Sequence, residues 1–190
     1  NIGAQLTFII SSVDNIKYAF DISDAKLNNK LNGITNFTKD TIVELRDTIW
    51  AMNHNEITFE DLKSRIYNFI EKAKESKENI DFIFTIDEQL NEVKFSSVVG
   101  MNIYRTIQEA INNAIKHANA SQIKVQISKE QDQISIQILD NGDGFDLENV
   151  SKNNGLTNME NRITSINGDF KIETNPAIGT KISILLNKTT

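Results

Sequence analysis

The residues best suited to chemistry lie in the segment YRTIQEAINNAIKHA, residues 104–118. Glu109, Asn113 and Lys116 recur at spacings of four and three residues, so a helix would place all three on one side. Asn112 and Asn113 lower helix propensity in the middle of such a helix, which favours a chemical role for this side. An ordinary solvent-exposed face is the alternative.

The other side of this predicted helix is apolar and is expected to pack on the protein core. Its members share helical spacing: Ile103, Ile107, Ala110, Ile111, Ala114, Ile115 and Ala118. His117 lies at the edge of the polar line. We expect the helix to begin near Ser96 or Ser97.

The segment DNGDG, residues 140–144, follows a predicted strand and is a second candidate for a site. Asp140 could accept a hydrogen bond from an exocyclic amine, which adenine offers and guanine, with a carbonyl oxygen there, does not. Gly142 and Gly144 would let the backbone approach a flat ligand closely. An ordinary turn is the plain alternative. A calcium loop is excluded because Gly142 stands where that loop needs Asp or Asn.

Two further segments could contact phosphate. Asn154, Gly155 and Leu156 begin a predicted helix, whose free N–H groups and dipole suit phosphate oxygens; simple capping by Asn154 is the alternative. Gly179 and Thr180 precede the last predicted strand, where the hydroxyl could lie near phosphates or merely end a turn.

Composition excludes several classes of function. The chain has 190 residues and a net charge of −6, which disfavours a large nucleic-acid interface. It has no cysteine, so disulfides, thiolate catalysis and cysteine-ligated metals are excluded. The lack of cysteine suits the cytoplasmic location that we expect. No apolar run could span a membrane and no signal peptide is visible. Because the sequence begins without methionine and inside a helical pattern, we expect a fragment of a longer protein.

The first quarter of the chain predicts an antiparallel helical hairpin. Two apolar seams alternate spacings of four and three residues: Ile2, Leu6, Ile9, Val13, Ile16 and Phe20, then Leu31, Thr35, Thr38, Ile42, Leu45, Ile49 and Met52. Residues 26–32 are polar enough to hold the turn between them. A lone hairpin leaves apolar surface in water, so we expect a four-helix bundle formed by two copies; a coiled-coil linker in a monomer is the alternative.

His54 lies in a polar break, so we expect a dimerisation hairpin over residues 1–54 and a second domain over residues 55–190. Thr58 and Asp61 predict a helix start, with the helix continuing to about Lys77. Alternating patterns predict strands over 80–86, 122–127, 134–138, 170–174 and 181–186, with SKEQDQ as a hairpin loop and a helix from Asn154 to near Asn167. The whole predicts the α+β class: helices stacked on one face of a sheet, a two-layer sandwich.

The order of these motifs resembles a known family. ExxxNAxKH on a helix, a strand into DxGxG, a Gly-Leu helix start and GT before the last strand resemble the ATP-binding domain shared by histidine kinases, gyrase, Hsp90-type chaperones and MutL. Within that group, QEAINNAIKHANA, DNGDGFD, GLTNMENRI and GTKISILLN resemble sensor histidine kinases of the subfamily of the nitrate sensors and the DesK-type thermosensor. The hairpin ending in ELRDTIWAMN is similar to that subfamily's dimerisation domain, so the resemblance covers nearly the whole chain.

The resemblance implies roles for these residues toward ATP and Mg²⁺. Asn113 would give its side-chain oxygen to Mg²⁺, Glu109 would orient or deprotonate nearby groups, and Asp140 would bind the adenine amine. Further nucleotide contacts are implied for Asn112, Lys116, His117, Gly142, Gly144, Gly155, Leu156, Gly179 and Thr180. Residues 146–154 would form a short lid, in which Asn153 replaces a glycine that the family often has.

The reaction implied is transfer of the γ-phosphoryl group of ATP to a histidine and then to the receiver domain of a response regulator. His54 and His117 are not placed as the family's acceptor is, and we expect the acceptor immediately before Asn1. The fragment would then bind ATP as a homodimer without phosphorylating itself. Any membrane attachment would lie in upstream segments.

Two other functions stay open. A gyrase- or chaperone-like protein would use ATP to close a dimer and would hydrolyse it. A non-catalytic dimer module would keep only a vestigial nucleotide site.

Overall fold

The computed structural model describes residues 2–52, 56–77, 79–147 and 154–187. The chain divides into two compact units, Asn1–His54 and Asn55–Thr190. His54 and residues 148–153, which make up most of the predicted lid, lie outside the described residues. In the described part of the chain, no helix is both long and apolar enough to cross a membrane.

The first unit is a helical hairpin, in which α1 (Ile2–Ala19) packs against α2 (Ala25–Met52). The turn predicted at residues 26–32 is wrong, because those residues are helical. The helix begins earlier because the Asp24 Oδ1 accepts a hydrogen bond from the Leu27 N–H at 2.6 Å and so caps α2. The polar residues that suggested a turn belong instead to the first turns of this helix.

The hairpin buries little of its apolar surface within one chain. Val13 of α1 and Thr35 and Thr38 of α2 are buried. Many large apolar side chains of the hairpin are exposed: Ile2, Phe8, Ile9, Ile16, Tyr18, Phe20, Leu27, Ile34, Phe37, Val43 and Ile49. The predicted seams are therefore covered only in part by the hairpin itself.

The second unit starts with β1 (Glu56–Thr58) and α3 (Phe59–Ser76). Thr58 and Asp61 form the predicted capping box, in which each side chain accepts a hydrogen bond from the other residue's backbone N–H at 3.1 Å. The predicted helix start is thus confirmed. Its apolar side is buried: Phe59, Leu62, Ile66, Ile70 and Ala73.

The remaining elements alternate strands with two helices. They are β2 (Asp81–Ile86), β3 (Lys94–Ser96), α4 (Ser97–His117), β4 (Gln122–Glu130), β5 (Gln133–Asp140), α5 (Asn154–Thr164), β6 (Gly168–Asn175) and β7 (Gly179–Asn187). Five strands form one sheet in the order β2-β4-β5-β7-β6, with β2 parallel to β4 and the other pairs antiparallel. β1 and β3 form a separate antiparallel pair. The predicted α+β class is confirmed.

The hairpin loop predicted over residues 128–133 is wrong. β4 and β5 pair as far as Glu130 and Gln133, so the connection contains only Gln131 and Asp132. Gln131 has a φ of 57°, a left-handed conformation that suits so tight a turn. The other four polar residues that suggested a loop, Ser128, Lys129, Glu130 and Gln133, belong to the two strands.

The two faces of the five-stranded sheet differ in polarity. Val125, Ile138, Ile182 and Ile172 pair across four strands and belong to the face that carries the core under the helices. The next residues along each strand form the polar face, as Gln126, Gln137, Ser183 and Lys171 do. This alternation fixes the register, because a slip of one residue would move the apolar side chains of a strand from the core face to the polar face.

Candidate functional site

A cavity of about 340 Å³ lies between α4, the ends of the central strands and the start of α5. Eight predicted site residues line it: Glu109, Asn113, His117, Asp140, Gly144, Gly155, Leu156 and Thr180. Its apolar lining consists of Ala110, Ala114, Ala118, Ile138, Phe145, Ile172 and Ile182. Four predicted site residues do not line it: Asn112, Lys116, Gly142 and Gly179.

The wall formed by α4 follows from helical spacing. Glu109, Asn113 and His117 are four residues apart, so they occupy one line along the helix and all three line the cavity. Lys116 is exposed one position away from this line. Buried residues on the other side of α4, such as Ile107 and Ile111, anchor the helix in the core.

The strands contribute a polar row at one end of the core face. Asp140 pairs with Thr180, and Thr180 pairs with Thr174. Each is two residues from a core residue of its own strand, so the row belongs to the same face as Ile138 and Ile182. Sequence reasoning missed Thr174; counting back from Gly179 across the β6–β7 turn could have found it.

Asp140 is held by backbone donors on one oxygen only. Its Oδ1 accepts hydrogen bonds from the Gly142 N–H at 2.9 Å and from the Thr180 N–H at 3.3 Å. Within the described residues, its Oδ2 makes no hydrogen bond. The carboxylate is therefore oriented by the protein and keeps one oxygen as an acceptor for a donor in the cavity.

The DNGDG loop is fastened to the start of β4 by Asn141, which sequence reasoning also missed. Asn141 Oδ1 accepts hydrogen bonds from the backbone N–H groups of Ser121, at 3.0 Å, and Gln122, at 2.8 Å. Beyond it, the Asp143 N–H donates to the Ala118 carbonyl at 2.7 Å. These bonds fix the position of the loop relative to the helix that carries Asn113.

The glycines of this region are required by contacts within the protein. A Cβ on Gly142 would lie 2.1 Å from the carbonyl oxygen of Ala118. Gly144, with a φ of 60°, would place a Cβ 2.1 Å from the carbonyl oxygen of Asn175. Sequence reasoning had attributed both glycines to close approach by a ligand, whereas backbone packing accounts for them in the structure.

The start of α5 lies against the polar line of α4. A Cβ on Gly155 would lie 2.7 Å from Glu109 Oε1 and 3.7 Å from Asn113 Nδ2. The start of α5, whose first N–H groups have no partner within the helix, therefore meets an amide and a carboxylate at one end of the cavity. Asp140 and Thr180 lie at the end formed by the strands.

The end of the cavity where α4 meets α5 suits a metal ion only together with an anionic ligand. In the part of the chain that the structure describes, no group of three His, Cys, Asp or Glu residues could hold a metal ion. Glu109 and Asn113 offer two oxygen-bearing side chains. Mg²⁺ keeps several waters and is commonly bound by one or two protein groups plus phosphates, so these residues fit Mg²⁺ carried by a phosphate ligand.

A second cavity, of about 420 Å³, lies at the opposite end of the strands. Its lining includes Val93, Phe95, Ile134 and Leu186. None of the residues predicted to carry chemistry lines it, so its larger volume does not make it the better candidate.

The fold and the site define a class of ATPase domain. Residues 99–190 match the family model described as "Histidine kinase-, DNA gyrase B-, and HSP90-like ATPase". The matched region contains most of α4 and the strands that carry Asp140 and Thr180. The second unit thus contains a region that matches this ATPase family, and the match, together with sensor-kinase relatives, supports the prediction of an ATP-binding domain of the histidine kinase type.

Individual relatives are sensor kinases. An uncharacterized sensor-like histidine kinase of Chloroflexus aurantiacus is 26% identical over 188 residues, which cover 95% of this chain and 31% of that protein. The signal transduction histidine-protein kinase/phosphatase DegS of Brevibacillus brevis is 37% identical over 98 residues, 51% of this chain and 25% of that protein. This chain thus spans less than a third of either relative, and its subfamily stays a prediction.

A solved structure shares the fold. The histidine kinase AdeS of Acinetobacter baumannii matches with a TM-score of 0.64 at 16% identity, covering 97% of this chain and 95% of that one. At this identity the match shows likeness of fold alone.

Gly144→Ala and Gly155→Ala are predicted to differ in stability. Gly144→Ala should lower the free energy of unfolding by more than about 2 kcal/mol, because its φ is positive and its Cβ would meet backbone. Gly155→Ala should change it by less than about 1 kcal/mol, because the Glu109 carboxylate that its Cβ meets ends a flexible side chain. Urea unfolding followed by circular dichroism measures both; equal losses would contradict the packing described above.

Proposed function

We propose that this chain is the kinase core of a sensor histidine kinase that binds ATP with Mg²⁺. The γ-phosphoryl group of ATP would pass to a histidine and then to the receiver domain of a response regulator. One observation carries the proposal: a single cavity has the oriented Asp140 carboxylate at one end and Asn113, Glu109 and the start of α5 at the other. ATP needs two such ends, because its adenine amine requires a hydrogen-bond acceptor and its phosphate chain requires hydrogen-bond donors and a metal ligand.

The base of the nucleotide would bind at the strand end. The Asp140 Oδ2 would accept a hydrogen bond from the adenine amine, while Oδ1 stays bound to the two backbone N–H groups that orient it. Ile138, Ile172 and Ile182 line the adjoining part of the cavity and would contact the faces of the base. Because the protein already holds the carboxylate in place, binding would cost little reordering there.

The phosphates would bind where α4 meets α5. Free N–H groups at the start of α5 would donate to phosphate oxygens, and His117 and Lys116 would approach from α4. When bound, Mg²⁺ would neutralise phosphate charge. Asn113 would supply a neutral oxygen ligand, and Glu109 would hold or accept protons of nearby water.

The domain would position the phosphoryl group for an acceptor that arrives from elsewhere. Phosphoryl transfer depends on positioning and charge neutralisation, so the ATP-binding domain itself needs no nucleophile. His117 lines the cavity on the nucleotide side, where it would contact phosphate. The acceptor is therefore proposed to be a histidine other than His117 and His54.

Asn113→Ala should remove the Mg²⁺ dependence of nucleotide binding. For a non-hydrolysable ATP analogue, we expect its affinity in the presence of Mg²⁺ to fall at least about tenfold, while affinity without the metal changes little. Isothermal titration with and without Mg²⁺ measures this. Asn102→Ala, the same substitution on α4 away from the cavity, should leave both affinities unchanged.

An unaltered Mg²⁺ effect in Asn113→Ala would exclude Asn113 as a ligand of the metal. Titration of Mg²⁺ alone should give no heat, because the residues that the structure describes supply too few ligands without phosphate.

Incubation with γ-labelled ATP separates a kinase core from an ATP-hydrolysing machine. We expect neither acid-labile label on this chain nor multiple turnovers of hydrolysis. Stoichiometric label on His54 or His117 would contradict the proposed acceptor. Steady hydrolysis over many turnovers would instead favour a gyrase- or chaperone-like ATPase.

We further propose that the hairpin forms a homodimer. The exposed apolar residues of α1 and α2 support this, because a second copy would remove them from water. In such a dimer, α1 and α2 of the two copies would form a four-helix bundle, which would be the interface between them.

Ile16→Glu should therefore disrupt the dimer. Ile16 is 44% exposed on α1, and a charge there would lie in the apolar interface. Light scattering should give twice the chain mass of 21.5 kDa for the unmodified protein and a lower mass for the variant. Tyr67→Glu is the matched control, since Tyr67 is 53% exposed on α3. A monomeric unmodified protein would contradict the proposal.

A further inference from the structure

Thr174 joins three parts of the candidate site through one hydroxyl group. Its Oγ1 accepts a hydrogen bond from the Phe145 N–H at 3.1 Å and donates to the Gly179 carbonyl at 3.0 Å. The same oxygen lies 3.3 Å from the Oγ1 of Thr180, its neighbour across the β6–β7 pair. The loop after Asp140, the β6–β7 turn and the cavity wall thus meet at a half-buried hydroxyl that does not itself line the cavity.

The protons in this group can be counted. A threonine hydroxyl has one hydrogen and two lone pairs. Thr174 uses its hydrogen on the Gly179 carbonyl, so Thr180 must be the donor in the contact between the two hydroxyls. The lone pairs of the Thr180 hydroxyl are then available to a ligand in the cavity, which Thr180 lines.

The carboxylate of Asp140, which neighbours Thr180, also keeps an oxygen that can accept a hydrogen bond. The Thr180 N–H donates to Asp140 Oδ1, and Asp140 Oδ2 has no hydrogen bond within the described residues. Asp140 and Thr180, which pair across β5 and β7 and both line the cavity, therefore each keep an oxygen that can act as an acceptor. Acceptors attract an amino group, whereas a carbonyl oxygen in the same place would find no donor and would be left unsatisfied.

We propose that Thr174 is a positioning residue that sets base specificity by fixing the direction of the Thr180 hydroxyl. With Thr174 in place, this end of the cavity accepts hydrogen bonds and selects a 6-amino purine over a 6-oxo purine. Without the Thr174 hydroxyl, Thr180 can rotate and donate to an oxo group, so the selection weakens. This inference rests on the proposed nucleotide-binding function.

The test compares ADP with IDP, which carries an oxygen in place of the amino group of adenine. Isothermal titration gives the ratio of the IDP and ADP dissociation constants for the unmodified protein and for Thr174→Val and Thr174→Ser. We expect Thr174→Val to lower this ratio about five- to tenfold, the effect of one reoriented hydrogen bond. Thr174→Ser, which keeps the hydroxyl, should retain the ratio, as should Thr85→Val, a matched change at an exposed position of β2.

The outcomes separate this inference from the proposed function. If the unmodified protein binds neither nucleotide, the proposed function fails and the inference falls with it. If it prefers ADP and Thr174→Val leaves the ratio unchanged, the role of Thr174 is refuted while nucleotide binding stands. If Thr174→Val does not fold, Thr180→Val replaces it, because this change removes the oriented hydroxyl itself; an unchanged ratio in that variant refutes the inference.

Discussion

The register of the central strands is the constraint on which the site depends. Ile138, Ile182 and Ile172 pair across β5, β7 and β6 and bury the face of the sheet that carries the core. The row at the end of this face is polar and begins with Asp140 beside Thr180. A slip of one residue would move the apolar residues and the polar row to the other face together. Burial of the core therefore fixes where the carboxylate lies.

Helix α4 ties the second half of the site to the same core. The residues that bury its apolar side also fix the direction of its polar line, because both follow one helical period. Gly155 lets α5 approach that line, with Glu109 and Asn113 beside the helix start. Asn141 fastens the loop after β5 to the start of β4, and the Asp143 N–H fastens it to the carbonyl of Ala118 at the end of α4. The two ends of the cavity are thus held at a fixed separation by packing and backbone hydrogen bonds.

Features that depend on residue spacing within one helix or strand could be predicted from the sequence. Features that depend on pairing between distant segments could not. The extent of α4, the cap at Thr58 and the strand that ends at Asp140 follow from spacing within one element. Thr174 and Asn141 act through partners on other segments, so no local pattern identifies them. The misplaced turns had the same cause: polar residues on exposed faces of a helix and a hairpin resemble loop composition.

Backbone-amide NMR mapping tests most directly whether the cavity beside Asp140 is the nucleotide site. Titration with a non-hydrolysable ATP analogue and Mg²⁺ should shift the amide signals of Gly144, Asn113 and Gly155, which belong to different elements around one cavity. The signals of Val93 and Phe95, which line the second cavity, should stay unchanged. Shifts confined to the second cavity, or no shifts at saturating nucleotide, would contradict the assignment.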